Sequence, residues 1–396
     1  MNESVRLPGH RFLHSPGPSR VPDEVLHAMS RQPMDLADPR VDRCIAACEN
    51  GLKRLLHTER ADVFMYSANG HGAWEATISN LIAPGQAVLI AGTGHFSESW
   101  AVQTEAMGGR VIRTPWVQGQ PIDPDVIEAT LRDDAAHEIV AVFVVHTDTA
   151  SGITSDLAAL RAAIDRAKHP ALFVVDVVAS LGAAPFTMDA LRINVALGAS
   201  QKGLMVPPGL GFVAVDEAAM EVSRRNPSPR FYWDWRLRQS PLSYRKFCGT
   251  PPQSLLAGLE ASLGLIAREG VAQVLARHRL IADAVHAAVA RWSEGGALRF
   301  FCEVPQARSV SVTTIAVAEG IDPEAIRTTA RERFEVAIAG GLGPLSGRAF
   351  RIGHLGDMNA AMILGCLAGV EAAMMVQGVA FGRGGVDAAV ARLSKG

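Results

Sequence analysis

The sequence predicts an α/β protein: a mostly parallel sheet of seven strands between helices, followed by a smaller α+β domain. Three observations predict this. Seven short apolar runs lie between residues 63 and 216. Amphipathic segments separate most of them, the pattern of a parallel sheet covered on both faces. The chain has 396 residues, 48% of them hydrophobic, which exceeds one typical core.

In chain order, "VFMYSA" is a strand and a helix begins near "GAWEATISNLI". "AVLIAG" is a strand and "FSESWAVQTEAMG" a helix; "RVIRTPW" and "PDVIEATLRDD" repeat the pair. "IVAVFVVH" is fully apolar and precedes the helix "DLAALRAAIDRAKH". "ALFVVDVV" is another buried strand, and "VALGASQ" and "GFVAVD" are shorter ones. The segment "NPSPRFYWDWRLRQSPLSYRKFCGTPPQS" is rich in proline and aromatics and reads as irregular. One long helix from Leu255 to Trp292 follows, then the strands "SVSVTTIAV", "FEVAIAG" and "FRIGHLG", and terminal helices. The expected division is an N-terminal arm (1–20), a large domain (21–255) and a small domain (256–396).

Bulk properties exclude several functions. The net charge of −2 makes no electrostatic case for nucleic acid or an anionic membrane. The five cysteines, Cys44, Cys48, Cys248, Cys302 and Cys366, form no CxxC, so reduced thiols in a cytoplasmic compartment are expected. "MNESVRLPGHRF" lacks the apolar region of a signal peptide. Met358–Gly382 is long and apolar, but it contains Glu371 and Gln377 and reads as a buried helix. The twelve histidines are scattered along the chain, so no metal site is expected.

Five lysines occur, and Lys202 alone lies in a turn after a strand, in "GASQKGLMVPPGLGF". It is either a surface stem or an amine held out of water. Burial disfavours the ammonium, and a neutral amine can attack a carbonyl to form a Schiff base. Asp176 ends an apolar strand one helix–strand unit earlier, where an acid is a helix cap or a partner for a cation. A carboxylate facing a pyridinium nitrogen, with a Schiff-base lysine, is the protein's part in pyridoxal phosphate chemistry. "SANGHGAWEA" puts Asn69, Gly70, His71 and Gly72 at a helix start, either an anion cradle or an ordinary turn. "GTGHF" lacks the last glycine of a dinucleotide fingerprint, and Phe96 within it is a stacking or a core aromatic.

Together these stretches, with "FLHSPGPSRVP", "HTDTASGI", "DVVASLGAAP", "YWDW" and "FRIGHLGD", resemble a class V, fold-type I aminotransferase of the alanine/serine–glyoxylate group. The resemblance covers nearly the whole chain. It implies pyridoxal 5'-phosphate bound to Lys202, which also moves the proton, with Asp176 at the ring nitrogen. Val178 and Phe96 would flank the ring, and Thr149 would meet the ring hydroxyl. Asn69, Gly70, His71 and Gln201 would hold the phosphate, and Thr250 would reach the phosphate of the neighbouring subunit of a homodimer with interfacial sites. Arg351, rather than nearby Arg348, would clamp the substrate carboxylate, for which its planar fork is suited; a structural ion pair is the alternative. Three departures stand out: Asn69 where serine or threonine is usual, "DLADPRV" where the group tends to carry "DHRGPEF", and Gly249 before Thr250.

The implied activity is ping-pong transfer of an amino group from serine or alanine to glyoxylate or pyruvate. The alternatives are a pyridoxamine or aminophosphonate transaminase, a lyase, a desulfurase using Cys248 or Cys302, or a non-catalytic binding protein.

Overall fold

The computed structural model describes residues 9–395, so the first eight residues of the expected arm lie outside the described residues. Strands are numbered here in chain order. The central sheet takes β2 (Asp62–Ala68), β3 (Ala87–Ile90), β4 (Arg110–Arg113), β5 (Ile139–Val145), β8 (Leu172–Asp176), β9 (Val195–Ala199) and β10 (Gly209–Val215). Between β5 and β8 a short hairpin joins β6 (Thr147–Asp148) to β7 (Ile153–Thr154). The second sheet takes β1 (Phe12–His14), β11 (Leu298–Phe300), β12 (Val312–Val317), β13 (Val336–Gly340) and β14 (Ala349–Gly353).

The central sheet has the order β2-β10-β9-β8-β5-β3-β4, and only β10 runs against its neighbours. All seven expected strands are present. Except on the edge strand β4, their side chains are mostly buried on both faces, by one cluster including Val142, Val144, Phe173 and Val175 and another including Phe143, Val145, Val174 and Leu197. That is why β5 and β8 read as unbroken apolar runs rather than as alternating ones. Burying each such side chain contributes about 1.5–3 kcal/mol.

The chain runs from β3 outward to β4 and then back across to β5. The sheet therefore has its topological switch between the carboxyl ends of β3 and β5, the usual position of a ligand crevice. A hydrogen bond marks the meeting of the two loops: the Phe96 amide, after β3, donates to Asp148 Oδ2, after β5, at 2.8 Å.

Two helices that strand–helix alternation does not announce precede β2, Asp23–Met29 and Pro39–Leu56. The departing stretch "DLADPRV" forms the start of the second, with Asp38 as its cap and Pro39 in its first turn. The expected long helix is two helices, Gln253–Glu269 and Val271–Ser293. Gly270 separates them at φ +90°, a conformation glycine adopts without steric cost. Leu256, Leu259, Leu263 and Ile266 pack into the large core, whereas Ile281, Val285 and Val289 pack with the second sheet. The buried cores thus part near Gly270, and a boundary at residue 256 would cut a helix of the large core. At the other end, β1 pairs in parallel with β13, so part of the arm belongs to the small sheet.

The irregular stretch holds two short helices, Trp235–Arg238 and Ser243–Lys246. Arg238 is buried there and binds the carbonyls of Met65, Tyr232 and Lys246, which pins the segment to the core. The apolar C-terminal segment forms the helix Ala360–Val376, which buries Ile363, Leu367 and Val370. Among the described residues no helix is long and apolar enough to cross a membrane, and no three potential ligands group as a metal site.

Candidate active site

The carboxyl ends of β2, β5, β8 and β9 surround a cavity of about 250 Å³. Lys202, Asp176, Val178 and Gln201 line its floor and one wall. Asn69, Gly70, His71, Phe96 and Thr149 complete it. Nine of the eleven expected site residues therefore meet on one cavity.

Lys202 follows β9 and reaches toward the N-terminal segment, where its ammonium donates to the Pro16 carbonyl. Gly17 sits beside it at φ +122°, and a Cβ there would overlap Lys202 Nζ. Glycine is thus required both by the backbone angle and by the lysine's approach. Burial, then repulsion by Arg351, lowers the Lys202 pKa to about 8, against the opposing pull of Asp176 and Asp148. A usable fraction of neutral amine follows near neutrality.

Asp176 ends β8 at 4% exposure. Its Oδ1 accepts from the Val178 amide at 2.6 Å and its Oδ2 from Trp74 Nε1 at 2.7 Å. Burial nevertheless raises its pKa to about 7, with Asp148 adding to the rise and Lys202 opposing it. A buried carboxylate so raised is ready for a cation, whose charge would restore its ionisation.

The helix Gly70–Leu81 begins at the cavity. Asn69 caps it, accepting from the Gly72 amide at 3.2 Å. The Gly70 and His71 amides lie in its first turn, before any intrahelical acceptor, and face an anion's place. Across from them, Gln201 has a buried side-chain atom, Oε1, without a hydrogen-bond partner. The two ends of an amide are assigned from their bonding, so this orphan marks a place for a donor or acceptor in the cavity. Val178 packs close under Gly70, whose added Cβ would lie 3.2 Å from Val178 Cγ2.

These features fit pyridoxal phosphate: an amine of depressed pKa, a buried carboxylate awaiting a cation, and an amide-rich helix start awaiting an anion.

Arg351, on β14, is not on the cavity wall. Its Nη1 donates to the Thr149 carbonyl at 2.9 Å and its Nε to the Gly340 carbonyl at 2.6 Å. Among the described residues it forms no salt bridge, so the ion-pair alternative fails. Burial lowers its pKa to about 10, which leaves it a cation at neutral pH. Thr250 is exposed and is not part of this cavity. Gly249 before it stands at φ +147°, with no atom near the position of a Cβ.

Four contributors escaped sequence reasoning. Trp74 lines the cavity and binds Asp176 from the second turn of the helix Gly70–Leu81, where a tryptophan reads as core. Asp148 is fully buried behind Phe96 and accepts from the Phe96 and Ala150 amides, each at 2.8 Å. Gly17 and Pro18 close the cavity from the N-terminal segment; only the fold brings them there. None of the cysteines lines the cavity.

Comparison with known proteins agrees with this geometry. The family model described as Aminotransferase class-V matches residues 11–346. A serine–glyoxylate aminotransferase of Methylorubrum extorquens is 37% identical, over 95% of this chain and 94% of that protein. An L-aspartate–glyoxylate aminotransferase of Paracoccus denitrificans is 39% identical, over 91% and 90%. The crystal structure of a ureidoglycine–glyoxylate aminotransferase from Bacillus subtilis superposes with a TM-score of 0.89 at 27% identity, covering 99% of this chain and 100% of that one. With the family model spanning most of its length, this chain belongs to the class-V aminotransferases.

Proposed function

We propose that this enzyme transfers an amino group from a small amino acid, serine or alanine first, to glyoxylate or pyruvate, using pyridoxal 5'-phosphate. The observation that carries the reading is Lys202 and Asp176 on one buried cavity, with Arg351 directly behind its wall. When bound, the cofactor supplies an electron sink for the substrate α-carbon and an alternating store for the amino group.

The chain's own residues do the rest. Lys202 would hold the cofactor's aldehyde carbon and would be the base that takes the proton from the substrate α-carbon. Its depressed pKa suits a base at neutral pH. Asp176 holds the proton on the ring nitrogen. Val178 and Phe96 would flank the ring, and Thr149 would meet the ring hydroxyl. Asn69, Gly70, His71 and Gln201 hold the phosphate. Arg351 has its Nη2 free of partners among the described residues, and it takes the substrate carboxylate. The two half-reactions share one site, so the kinetics are ping-pong. The absence of cysteine from the cavity wall favours this chemistry over sulfur removal.

The exposed Thr250 supports a homodimer in which it reaches the partner's phosphate, and we place the protein in the cytoplasm.

The test is a half-reaction panel. Holoprotein is mixed with serine, alanine, aspartate and other amino acids singly, following loss of the cofactor's visible absorbance and formation of keto acid. Bleaching by a small amino acid and recovery with glyoxylate are expected. Absence of any spectral change with every amino acid would overturn the assignment.

A further inference from the structure

We propose that Trp74 is a positioning residue for the cofactor: its indole N–H holds the Asp176 carboxylate ionised and oriented toward the ring nitrogen. This rests on the cofactor reading above.

The contact is short and buried. Trp74 is 2% exposed, and its Nε1 lies 2.7 Å from Asp176 Oδ2. The indole cannot turn away, because it stacks on Trp100 at 5.4 Å with planes 10° apart, and Trp100 stacks on Phe143 at 4.4 Å. Phe96 meets it edge-on at 6.5 Å. Each oxygen of Asp176 accepts one protein N–H, from Val178 or from Trp74. The carboxylate plane is thereby set, with lone pairs left for a ring N–H.

Ionisation is the second effect. Burial favours the neutral acid, and hydrogen bonds to the anion oppose burial. A neutral carboxyl group at this position would not pair with a charged ring nitrogen. Trp74 therefore acts through Asp176.

Trp74 also lies on the helix Gly70–Leu81, whose first turn faces the place of the phosphate. One helix thus serves both ends of the cofactor, and its placement sets the distance between them.

The charged groups that act on Asp176 are Lys202 after β9 and Asp148 on β6; Arg351 on β14 acts on Lys202, His71 at the helix start lines the same cavity, and the backbone amide of buried His146 after β5 donates to the Asp176 carbonyl. Trp74→Phe removes the N–H and keeps an aromatic ring beside His71, whose own ring lies 4.5 Å from the indole.

The experiment is titration of apoprotein with pyridoxal phosphate at a series of pH values from mildly acid to alkaline. Wild type, Trp74→Phe and Trp100→Phe are compared, with unfolding curves as a check. Trp74→Phe is expected to bind about ten- to a hundredfold more weakly at neutral pH, the range for losing a hydrogen bond to a charged group. The deficit shrinks as pH rises, because the apparent pKa governing binding has moved up. Trp100→Phe, which keeps the ring stack, superposes on wild type. Trp74→His, which retains a ring N–H, recovers part of the loss.

A deficit constant across pH, or an equal shift in Trp100→Phe, would overturn the proposal in favour of packing alone. Should Trp74→Phe not fold, the Trp74 indole N–H resonance of wild-type protein gives the answer: it should move on adding pyridoxal phosphate and stay put with inorganic phosphate. An unmoved resonance also overturns the proposal. Failure of wild type itself to bind pyridoxal phosphate defeats the cofactor reading instead, a different result.

Discussion

Lys202 has two opposed demands on it. It must be neutral often enough to act as a base, yet its amine is fixed beside a carbonyl and near two carboxylates. Burial and Arg351 settle the contest in favour of the lower pKa. Lys202→Ala removes the proton carrier, and a fall in kcat of about 10²–10⁴-fold is expected, the range for losing a general base. Borohydride treatment should also cease to label the peptide at this position. Full kcat in Lys202→Ala would end the proposal. Arg351→Lys tests a separate role. Lysine keeps the charge but cannot span Gly340, Thr149 and a carboxylate with one planar fork. We expect KM for the donor to rise by about tenfold to a hundredfold, with a smaller change in kcat. Equal losses in both constants would instead place Arg351 in the reacting step. Sequence reasoning reached Lys202 and Asp176 because each has a chemistry its context does not explain, a lysine among apolar residues and an acid ending an apolar strand, whereas Arg351 came only from the family resemblance. Trp74 and Asp148 have no such anomaly. A tryptophan on a helix reads as core, and only the folded sheet brings its N–H to Asp176.

Elements were legible where periodicity carried the signal. The inner strands of the central sheet are legible because both sheet faces are covered, which forces unbroken apolar runs into the sequence. The short β1, β6 and β7 have two or three residues each, too few for a period. The break between Gln253–Glu269 and Val271–Ser293 is a case of a local rule hidden by pattern. Apolar residues continue on both sides of Gly270, so the spacing reads as one helix. The glycine at φ +90° and ψ 133° turns the chain from the large core to the small one. Alanine at this position meets the strain of a conformation that only glycine occupies, and its Cβ would press on Gln273. Gly270→Ala is expected to cost about 1–3 kcal/mol, read as a lower urea midpoint at unchanged slope. A neutral or stabilising outcome would mean that the two helices fuse without cost and that the turn is not a fixed hinge.

At the scale of the whole molecule, the N-terminal segment, the small sheet and the helix Val271–Ser293 are joined by buried imidazoles. His14 on β1 bonds the Gly353 carbonyl through Nδ1 at 3.1 Å, and its Nε2 is buried without a partner. His278 accepts from the Gly356 amide through Nε2 at 3.0 Å. His354 bonds Thr313 and the Val310 carbonyl at 2.9 and 3.0 Å. Burial lowers the pKa of His14 and His278 to about 4, and that of His354 well below its ordinary value. The sign follows from linkage. Above the unfolded value near 6.5 neither state is protonated at these rings. As pH falls from there toward 4, the unfolded chain takes up protons that the folded one refuses, so stability is lost through that window. One such histidine is worth about 3 kcal/mol across it. Asp176, raised to about 7 by burial, works the other way in the apoprotein, since the folded state binds its proton first. The histidines outnumber it, and the net slope is a loss. Urea midpoints measured between neutral and mildly acid pH should fall steeply, before most carboxylates titrate. His278→Gln, which can still accept from the Gly356 amide, should flatten the slope by about one proton. If the variant and wild type lose stability in parallel, the buried ring is not the group that titrates, and acid lability must come from the carboxylates.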